Sequence, residues 1–231
     1  MEMWSGMDTS NPSIYSVRKK GRAGMPMTSQ DPEEVTPANH IPGPKQGEWT
    51  YSHYAALPDD GNRYEIIDGV LYMAPAPISW HQLVAMSISF HLYTHVTMKD
   101  LGNVMAAPLD VELAPHTVVQ PDLAVLLHGN PAELMAPRII GAPDLLVEIL
   151  SPGTARYDKR QKYRAYARAG IKEYWIVDPI ARNVEIFVLD DRGYQSTGIF
   201  SGTEIVLSKV IPDFPVQTRQ LFHISERPTN Q

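Results

Sequence analysis

The strongest constraint on the fold is a short apolar run, Leu145–Leu150, that contains one carboxylate, Glu148. A compact apolar run of this length is typical of a central strand that is covered on both faces of a sheet. A carboxylate inside such a strand costs several kcal/mol unless it is paired or binds a metal ion. Glu148 therefore predicts either a salt bridge to an Arg of a covering helix or a metal site.

A second carboxylate, Asp122, interrupts another apolar stretch, after Val118 and Val119 and before Leu123–Leu127. An Asp that follows Pro often lies in a turn, which is the simpler interpretation. If the two acidic strands are neighbours, their carboxylates supply the hard oxygen ligands that Mg²⁺ and Mn²⁺ prefer. Asp122 and Glu148 are therefore candidate metal ligands.

The segment after the Glu148 strand predicts a helix over residues 154–169, with Gly170 ending it. Asp158 and Lys162 are four residues apart and, if exposed, would form an ordinary helix-surface ion pair. Because the connection from the strand is short, one side of this helix can instead lie over the carboxylates.

That side of the helix combines Lys159, Lys162 and Tyr166, which share one face at helical spacing. A lysine beside a metal-bound water can orient the water and offset the negative charge that develops on a phosphorane. Two carboxylates and a lysine around a metal ion are an arrangement for cleaving phosphodiesters.

The remaining pattern predicts a strand-rich domain with a few helices. Further helices are predicted at 51–57 and 79–98, and strands at 63–73 (a hairpin turning at Asp68-Gly69), 104–113, 117–127, 145–150, 173–178 and 183–189, with a final hairpin and strand within 193–222. This order predicts an α/β or α+β class, with helices on the faces of a mixed sheet.

The first 48 residues are rich in Pro and Gly and have no apolar periodicity, so they predict a disordered N-terminal arm (1–48) before one folded domain (49–231). The chain has no Cys, which excludes disulfides, thiolate metal sites and cysteine nucleophiles. No secretory signal or long apolar run is found, so a cytoplasmic location without a membrane segment is expected.

Charge is distributed unevenly along the chain. The net charge of −6 argues against a protein coated in positive charge for nucleic acid. Residues 138–172, however, contain eight basic and three acidic side chains, a net charge of +5. This basic segment includes Glu148 and the helix after it, which favours a polyanionic partner at the same place.

Five motifs occur in order: Tyr64–Gly69 (YEIIDG), Gln120–Asp122 (QPD), Pro143–Pro152 (PDLLVEILSP), Asp158 with Lys162, and Glu173–Pro179 (EYWIVDP). Together they resemble the Uma2 family of restriction endonucleases, within the PD-(D/E)xK nuclease superfamily. The resemblance spans roughly residues 49–222, and residues 147–179 are its most specific part.

The resemblance implies a restriction-endonuclease-like fold, a mixed β-sheet of about five strands flanked by helices. It implies that Asp122 and Glu148 bind a divalent metal ion, helped by the carbonyl of Ile149. It also implies that Glu65 adds a ligand or a water contact and that His81 lies near the site.

The chain departs from the superfamily's simplest pattern at Leu150, where a lysine is expected two residues after Glu148. Members of this family resemble branches of the superfamily in which the lysine has moved to the following helix. Lys162 fits that position better than Lys159, because it follows Asp158 at the family's spacing.

The sequence therefore predicts a metal-dependent endonuclease that hydrolyses DNA phosphodiester bonds, with Asp122 and Glu148 holding Mg²⁺ and Lys162 orienting the attacking water. Mn²⁺ is expected to substitute for Mg²⁺. DNA and a second copy of the chain, in a homodimer, are the expected partners, and no nucleotide cofactor is expected. Two alternatives stay open: a catalytically inactive nucleic-acid-binding or dimerising module with the same fold, and a metal-dependent hydrolase acting on another substrate.

Overall fold

The computed structural model describes residues 34–223, except for 76–78 and 136. Most of the predicted arm, residues 1–33, lies outside the described residues. In the described part of the chain there are five α-helices, one π-helical turn and thirteen strands. None of the described helices is long and apolar enough to cross a membrane.

The helices are α1 (Tyr51–Ala55), α2 (Ser79–His95), α3 (Ala155–Tyr157), the π-helical turn (Asp158–Lys162), α4 (Tyr163–Ala169) and α5 (Thr218–Leu221). The strands are β1 (Thr36–Pro37), β2 (Arg63–Ile67), β3 (Val70–Ala74), β4 (Gly102–Ala106), β5 (Asp110–Ala114), β6 (Thr117–Val119), β7 (Leu123–Leu127), β8 (Glu133–Met135), β9 (Arg138–Ile140), β10 (Leu145–Ile149), β11 (Glu173–Asp178), β12 (Asn183–Asp190) and β13 (Gly193–Ser201).

The boundary predicted at residue 49 is too late. Strand β1 pairs antiparallel with β3, and the backbone N–H of Ala38 donates a 2.8 Å hydrogen bond to the carbonyl of Leu71. Ala38 itself is buried. Backbone hydrogen bonds attach this stretch to the domain. Its side chains have no apolar periodicity, so the sequence pattern does not reveal the attachment.

The strands form two sheets instead of one. Sheet A has the order β1-β3-β2-β6-β5-β9-β8, and sheet B has the order β13-β12-β11-β10-β7-β4. The two long strands predicted at 104–113 and 117–127 each divide in two, near Pro108 and at Pro121, because proline cannot donate to a strand ladder. The chain crosses from sheet A to sheet B at Gln120-Pro121-Asp122, between β6 and β7.

Strand β10 has the central place that its apolar run predicts. It pairs antiparallel with β7 and parallel with β11, and all five of its residues are buried. Leu145, Val147 and Ile149 face the core under α2 and α5, whereas Leu146 belongs to the core under the π-helical turn and α4. Since side chains alternate along a strand, Glu148 faces that second side.

The predicted hairpin at Asp68-Gly69 is present, with β2 and β3 joined by two residues of positive φ, as a tight hairpin turn requires. The predicted final hairpin and strand are only partly correct. Strand β13 pairs with β12, but the segment that follows ends in helix α5 rather than in a strand.

Candidate active site

The candidate site lies where the two sheets meet. Asp122 comes directly before β7, whose first residue, Leu123, is paired with Val147 of β10. That register brings Asp122 beside Glu148 on one edge of sheet B. Glu65, on β2 of sheet A, approaches from the other side through a 2.7 Å hydrogen bond that its Oε1 accepts from the Gln120 N–H.

Glu148 is 3% exposed and is held by the helical segment that covers it. Its Oε1 accepts hydrogen bonds from Lys162 Nζ at 2.9 Å and from the Tyr166 hydroxyl at 2.6 Å. Its second oxygen, Oε2, accepts no hydrogen bond from the described residues. Glu148 therefore forms a buried ion pair with a covering helix, but its partner is Lys162 and not the predicted Arg, and one oxygen of the carboxylate stays available.

Asp122 is not a simple turn residue, because it is 5% exposed and faces into the site. Its Oδ2 accepts a 2.7 Å hydrogen bond from the Ile149 N–H and lies 2.9 Å from His81 Nε2. Its Oδ1 has no hydrogen-bond donor among the described residues. As with Glu148, one oxygen orients the carboxylate and the other is left for a ligand.

Lys162 lies at the centre of the acidic cluster, with only 4% of its surface exposed. Its Nζ is 2.9 Å from Glu65 Oε1, 2.9 Å from Glu148 Oε1 and 3.7 Å from Asp158 Oδ1. Burial lowers the pKa of Lys162, but the carboxylates around it raise that pKa by more, so the net shift is upward. Lys162 is therefore a charged group that joins the two sheets.

The π-helical turn decides which lysine enters the site. Asp158 and Lys162, its first and last residues, both point inward, and Tyr166 follows one α-helical turn later on the same side. Lys159 is exposed, so the prediction that it supports the site on the same face is wrong. A π-helical turn shifts the phase of the helix, and such turns occur frequently at functional sites.

The negative charge of the cluster exceeds the positive charge that is buried with it. Glu65, Asp122, Glu148 and Asp158 are all at most 5% exposed. Burial, together with neighbouring carboxylates, raises the pKa of Glu148 well above its usual value despite the opposing effect of Lys162, and burial raises the pKa of Asp158 to about 6. A bound cation would relieve this excess.

These side chains suit a small hard cation. Among the described residues, buried Glu65 Oε2 and Asp158 Oδ1 have no hydrogen-bond partner. A cavity of about 20 Å³ lies among the site residues, which is room for about one water molecule. No closed cluster of three or more His, Cys, Asp or Glu ligands occurs in the described ranges. Mg²⁺ needs none, because it keeps several waters and binds through one or two carboxylates.

Two side chains of the cavity carry no signal in the sequence. The Tyr157 ring lies 5.7 Å from Lys162 Nζ, in position for a cation–π contact. Arg63, at the start of β2, lines the cavity and donates a 3.1 Å hydrogen bond to the Gln120 carbonyl. Neither residue is part of a recognisable sequence spacing. Only the tertiary structure brings them to the cavity.

Burial alone does not make a glutamate part of this site. Glu173 on β11 is 0% exposed, yet it lies away from the cavity. Its oxygens accept hydrogen bonds from Trp175 Nε1 at 2.6 Å, Ser208 Oγ at 2.7 Å and the Lys209 N–H at 2.6 Å. Glu173 is thus a structural carboxylate whose hydrogen bonds are satisfied.

Comparisons with known proteins identify the family and the fold of this chain. Residues 51–219 match the model of the Uma2 family, whose description is "Putative restriction endonuclease". An uncharacterized protein of Synechocystis sp. is 25% identical over 135 residues, which cover 57% of this chain and 68% of that protein. The crystal structure of a putative nuclease belonging to DUF820, from Anabaena variabilis, superposes with a TM-score of 0.65.

That superposition covers 75% of this chain and 97% of the Anabaena protein at 19% sequence identity, so it establishes a shared fold. The α+β class and the nuclease-like architecture predicted from the sequence are confirmed. The family match spans most of the chain and includes every candidate site residue from Glu65 to Tyr166. This chain belongs to the Uma2 family, and nuclease activity is the general function that the family's description supports.

Proposed function

We propose that this protein is a Mg²⁺-dependent endodeoxyribonuclease in which Asp122 and Glu148 hold the metal ion and Lys162 orients the attacking water. The observation that carries the proposal is the position of Lys162, buried and 2.9 Å from Glu148 Oε1. This lysine takes the place beside the acidic strand that Leu150 leaves without a charged side chain. Mn²⁺ is expected to replace Mg²⁺, since both prefer oxygen ligands.

The chain's own residues hold the proposed ligands in fixed orientations. The Ile149 N–H and His81 contact one oxygen of Asp122, while Lys162 and Tyr166 contact one oxygen of Glu148. The remaining oxygens, with the Ile149 carbonyl, form the proposed ligand set. When bound, Mg²⁺ would polarise a phosphoryl oxygen and lower the pKa of a coordinated water.

Lys162 has two proposed roles in hydrolysis. Its ammonium group donates hydrogen bonds only, so it orients a water through the water's oxygen and leaves the water's protons free to depart. The same positive charge stabilises the negative charge that develops on the phosphorane. Glu65 and Tyr166 are positioning residues, because they fix Lys162 and Glu148 respectively.

DNA is the proposed substrate because basic side chains surround the covering helix. Arg156, Lys159, Arg160 and Arg164 are all exposed on or beside the π-helical turn that supplies Lys162. Contacts of this kind to phosphates orient a duplex without reading its sequence. Lys159, excluded from the buried cluster, thereby gains a role at the surface.

The test is cleavage of supercoiled and linear plasmid DNA with Mg²⁺ or Mn²⁺, compared with calorimetry of Mn²⁺ binding. Glu148→Gln is expected to abolish cleavage and weaken Mn²⁺ binding, and Lys162→Met to abolish cleavage while Mn²⁺ still binds. Glu173→Gln is the matched control for a buried strand glutamate, and Lys159→Met is the control for the neighbouring lysine. Glu173→Gln is not expected to abolish cleavage, and Lys159→Met, which removes one proposed phosphate contact, is expected to reduce cleavage only in part.

A protein that binds no Mn²⁺ and nicks no DNA, with Glu148→Gln unchanged in every measurement, would refute the proposal. Salt-dependent DNA binding that does not respond to metal would instead identify the inactive nucleic-acid-binding module. A protein that binds Mn²⁺ but cleaves only another phosphoester would retain the site and change the substrate.

A further inference from the structure

Helix α2 buries one apolar face in the domain. Val84, Ile88 and Leu92 are at most 1% exposed and pack in the core over sheet B. They recur every four residues, which is the spacing of a single helix face. This face accounts for the attachment of α2 to its own chain.

The opposite face of α2 is apolar as well, and it is exposed. Leu83, Met86, Phe90 and Tyr93 have exposed fractions of 48%, 72%, 64% and 49%. At about 100° per residue, these four positions centre roughly 180° from Ile88. They are here named the outer stripe, and their exposure shows that no described part of the chain covers it.

The outer stripe has the pattern of a helix–helix seam. Its spacings of three, four and three residues are those of the a and d positions of a heptad repeat. In addition, none of the 17 residues of α2 is Asp, Glu, Lys or Arg. A helix that is apolar on two opposite faces is typical of one that is buried on both sides.

We propose that a second copy of this chain packs antiparallel against the outer stripe. The two-fold axis would cross the stripe midway between Met86 and Phe90. The spacings of three, four and three residues are the same in either chain direction. An antiparallel copy can therefore place each of its four stripe residues opposite one of this chain. Leu83 then faces Tyr93 of the other copy, and Met86 faces Phe90. Each contact pairs an aliphatic with an aromatic side chain, and Met sulfur makes favourable contacts with aromatic rings.

The area of the stripe matches what a dimer needs. Side chains of this size bury about 150–250 Å² each, so the exposed fractions of the outer stripe and of the adjacent Trp80, 55% exposed, leave roughly 430–720 Å² per copy. Two copies would bury roughly 900–1,400 Å² from these side chains alone, a range that includes the roughly 1,000 Å² expected of a specific interface. The absence of charged residues on α2 removes any repulsion between identical faces.

The first test is the mass of the full chain in solution, measured by sedimentation equilibrium over a series of concentrations. The expected result is a dimer of twice the 25.8 kDa chain mass. Phe90→Glu is expected to weaken dimerisation by about 100-fold or more, because the two-fold axis places the charge in the interface twice. Leu134→Glu is the control, since Leu134 is 56% exposed and lies on β8 of sheet A, away from α2.

A monomeric parent chain, or a Phe90→Glu variant that dimerises as well as Leu134→Glu, would overturn the proposal. Circular dichroism of both variants distinguishes lost association from lost folding. This result does not depend on nuclease activity, so the dimer and the proposed function can fail separately.

A second test determines the relative orientation of the two α2 helices by disulfide crosslinking. Because the chain has no Cys, only the introduced cysteines can form disulfides. An equimolar mixture of Met86→Cys and Phe90→Cys variants is expected to form mainly the mixed disulfide on mild oxidation. Leu134→Cys is expected to stay uncrosslinked under the same conditions. Disulfides that join only identical variants would overturn the antiparallel arrangement.

Discussion

Replacing Lys162 with Met tests whether the acidic cluster depends on one buried positive charge. The substitution keeps most of the side-chain volume but leaves four buried carboxylates without an ammonium group. Removing one partner of a buried ion pair typically costs about 3–5 kcal/mol, because the remaining charge is uncompensated. For a domain of this size, each kcal/mol changes the Tm by about 2–4 °C, so a decrease of roughly 6–20 °C is expected.

Metal ions should reverse part of this loss. A cation that binds the folded chain alone stabilises it by about 2.7 kcal/mol at one hundred times its Kd. Mn²⁺ is therefore expected to raise the Tm of Lys162→Met, and by more than it raises the Tm of the parent protein. The reason is that the variant has one positive charge fewer to compete with the ion.

The assay is differential scanning calorimetry of the parent, Lys162→Met and Lys159→Met, with and without Mn²⁺. Lys159 is exposed, so its variant should unfold within a degree or two of the parent. If Lys162→Met is as stable as Lys159→Met without metal, the cluster does not need this charge. If Mn²⁺ raises both variants equally, the ion does not act at the carboxylates beside Lys162.

Three further results are expected. His81→Ala should weaken Mn²⁺ binding by about 10–100-fold in calorimetry, because the carboxylate that His81 contacts loses its orientation; unchanged affinity would contradict this role. Gly69→Ala should lower the free energy of unfolding, measured in urea titrations, by more than Gly170→Ala does. Both positions have positive φ, but only at Gly69 would the new methyl group collide with backbone atoms, those of Gly47. Burial raises the pKa of Tyr194, so the stability it contributes is complete below about pH 10 and is lost as the pH rises toward the folded-state pKa; Tyr194→Phe should unfold less readily than the parent at high pH, and equal alkaline unfolding curves would argue against this assignment.

The parts of the site that could be predicted are those in which a polar residue breaks an apolar strand. Glu148 and Asp122 stand out because the cost of burying a carboxylate is large and local, so a single strand reveals it. The hairpin at Asp68-Gly69 was predictable for a similar reason, since few residues adopt positive φ at two successive positions. In each case the decisive interaction is encoded within a few neighbouring residues.

The parts that could not be predicted depend on contacts between distant segments. Lys159 and Lys162 lie seven and four residues before Tyr166, and both spacings place a residue on the same face of an α-helix. Only the π-helical turn, which has no clear sequence signal, makes one lysine exposed and the other buried. The division into two sheets depends on where a strand stops pairing, and β1 is held mainly by backbone hydrogen bonds. Backbone contacts of this kind leave little trace in side-chain patterns.

Because the lysine lies on a helical segment and not on β10, the fold must hold that segment in a fixed orientation relative to the strand. A residue two positions after Glu148 would point to the same side of the strand automatically, and that position is the apolar Leu150. Lys162 reaches Glu148 only if the helical segment keeps its orientation. Tyr166 donates to the same Glu148 oxygen, and the Tyr174 hydroxyl donates to the Asp158 carbonyl at 3.3 Å. Tyr166→Phe should therefore lower activity without removing any metal ligand, because it loosens the segment that positions Lys162.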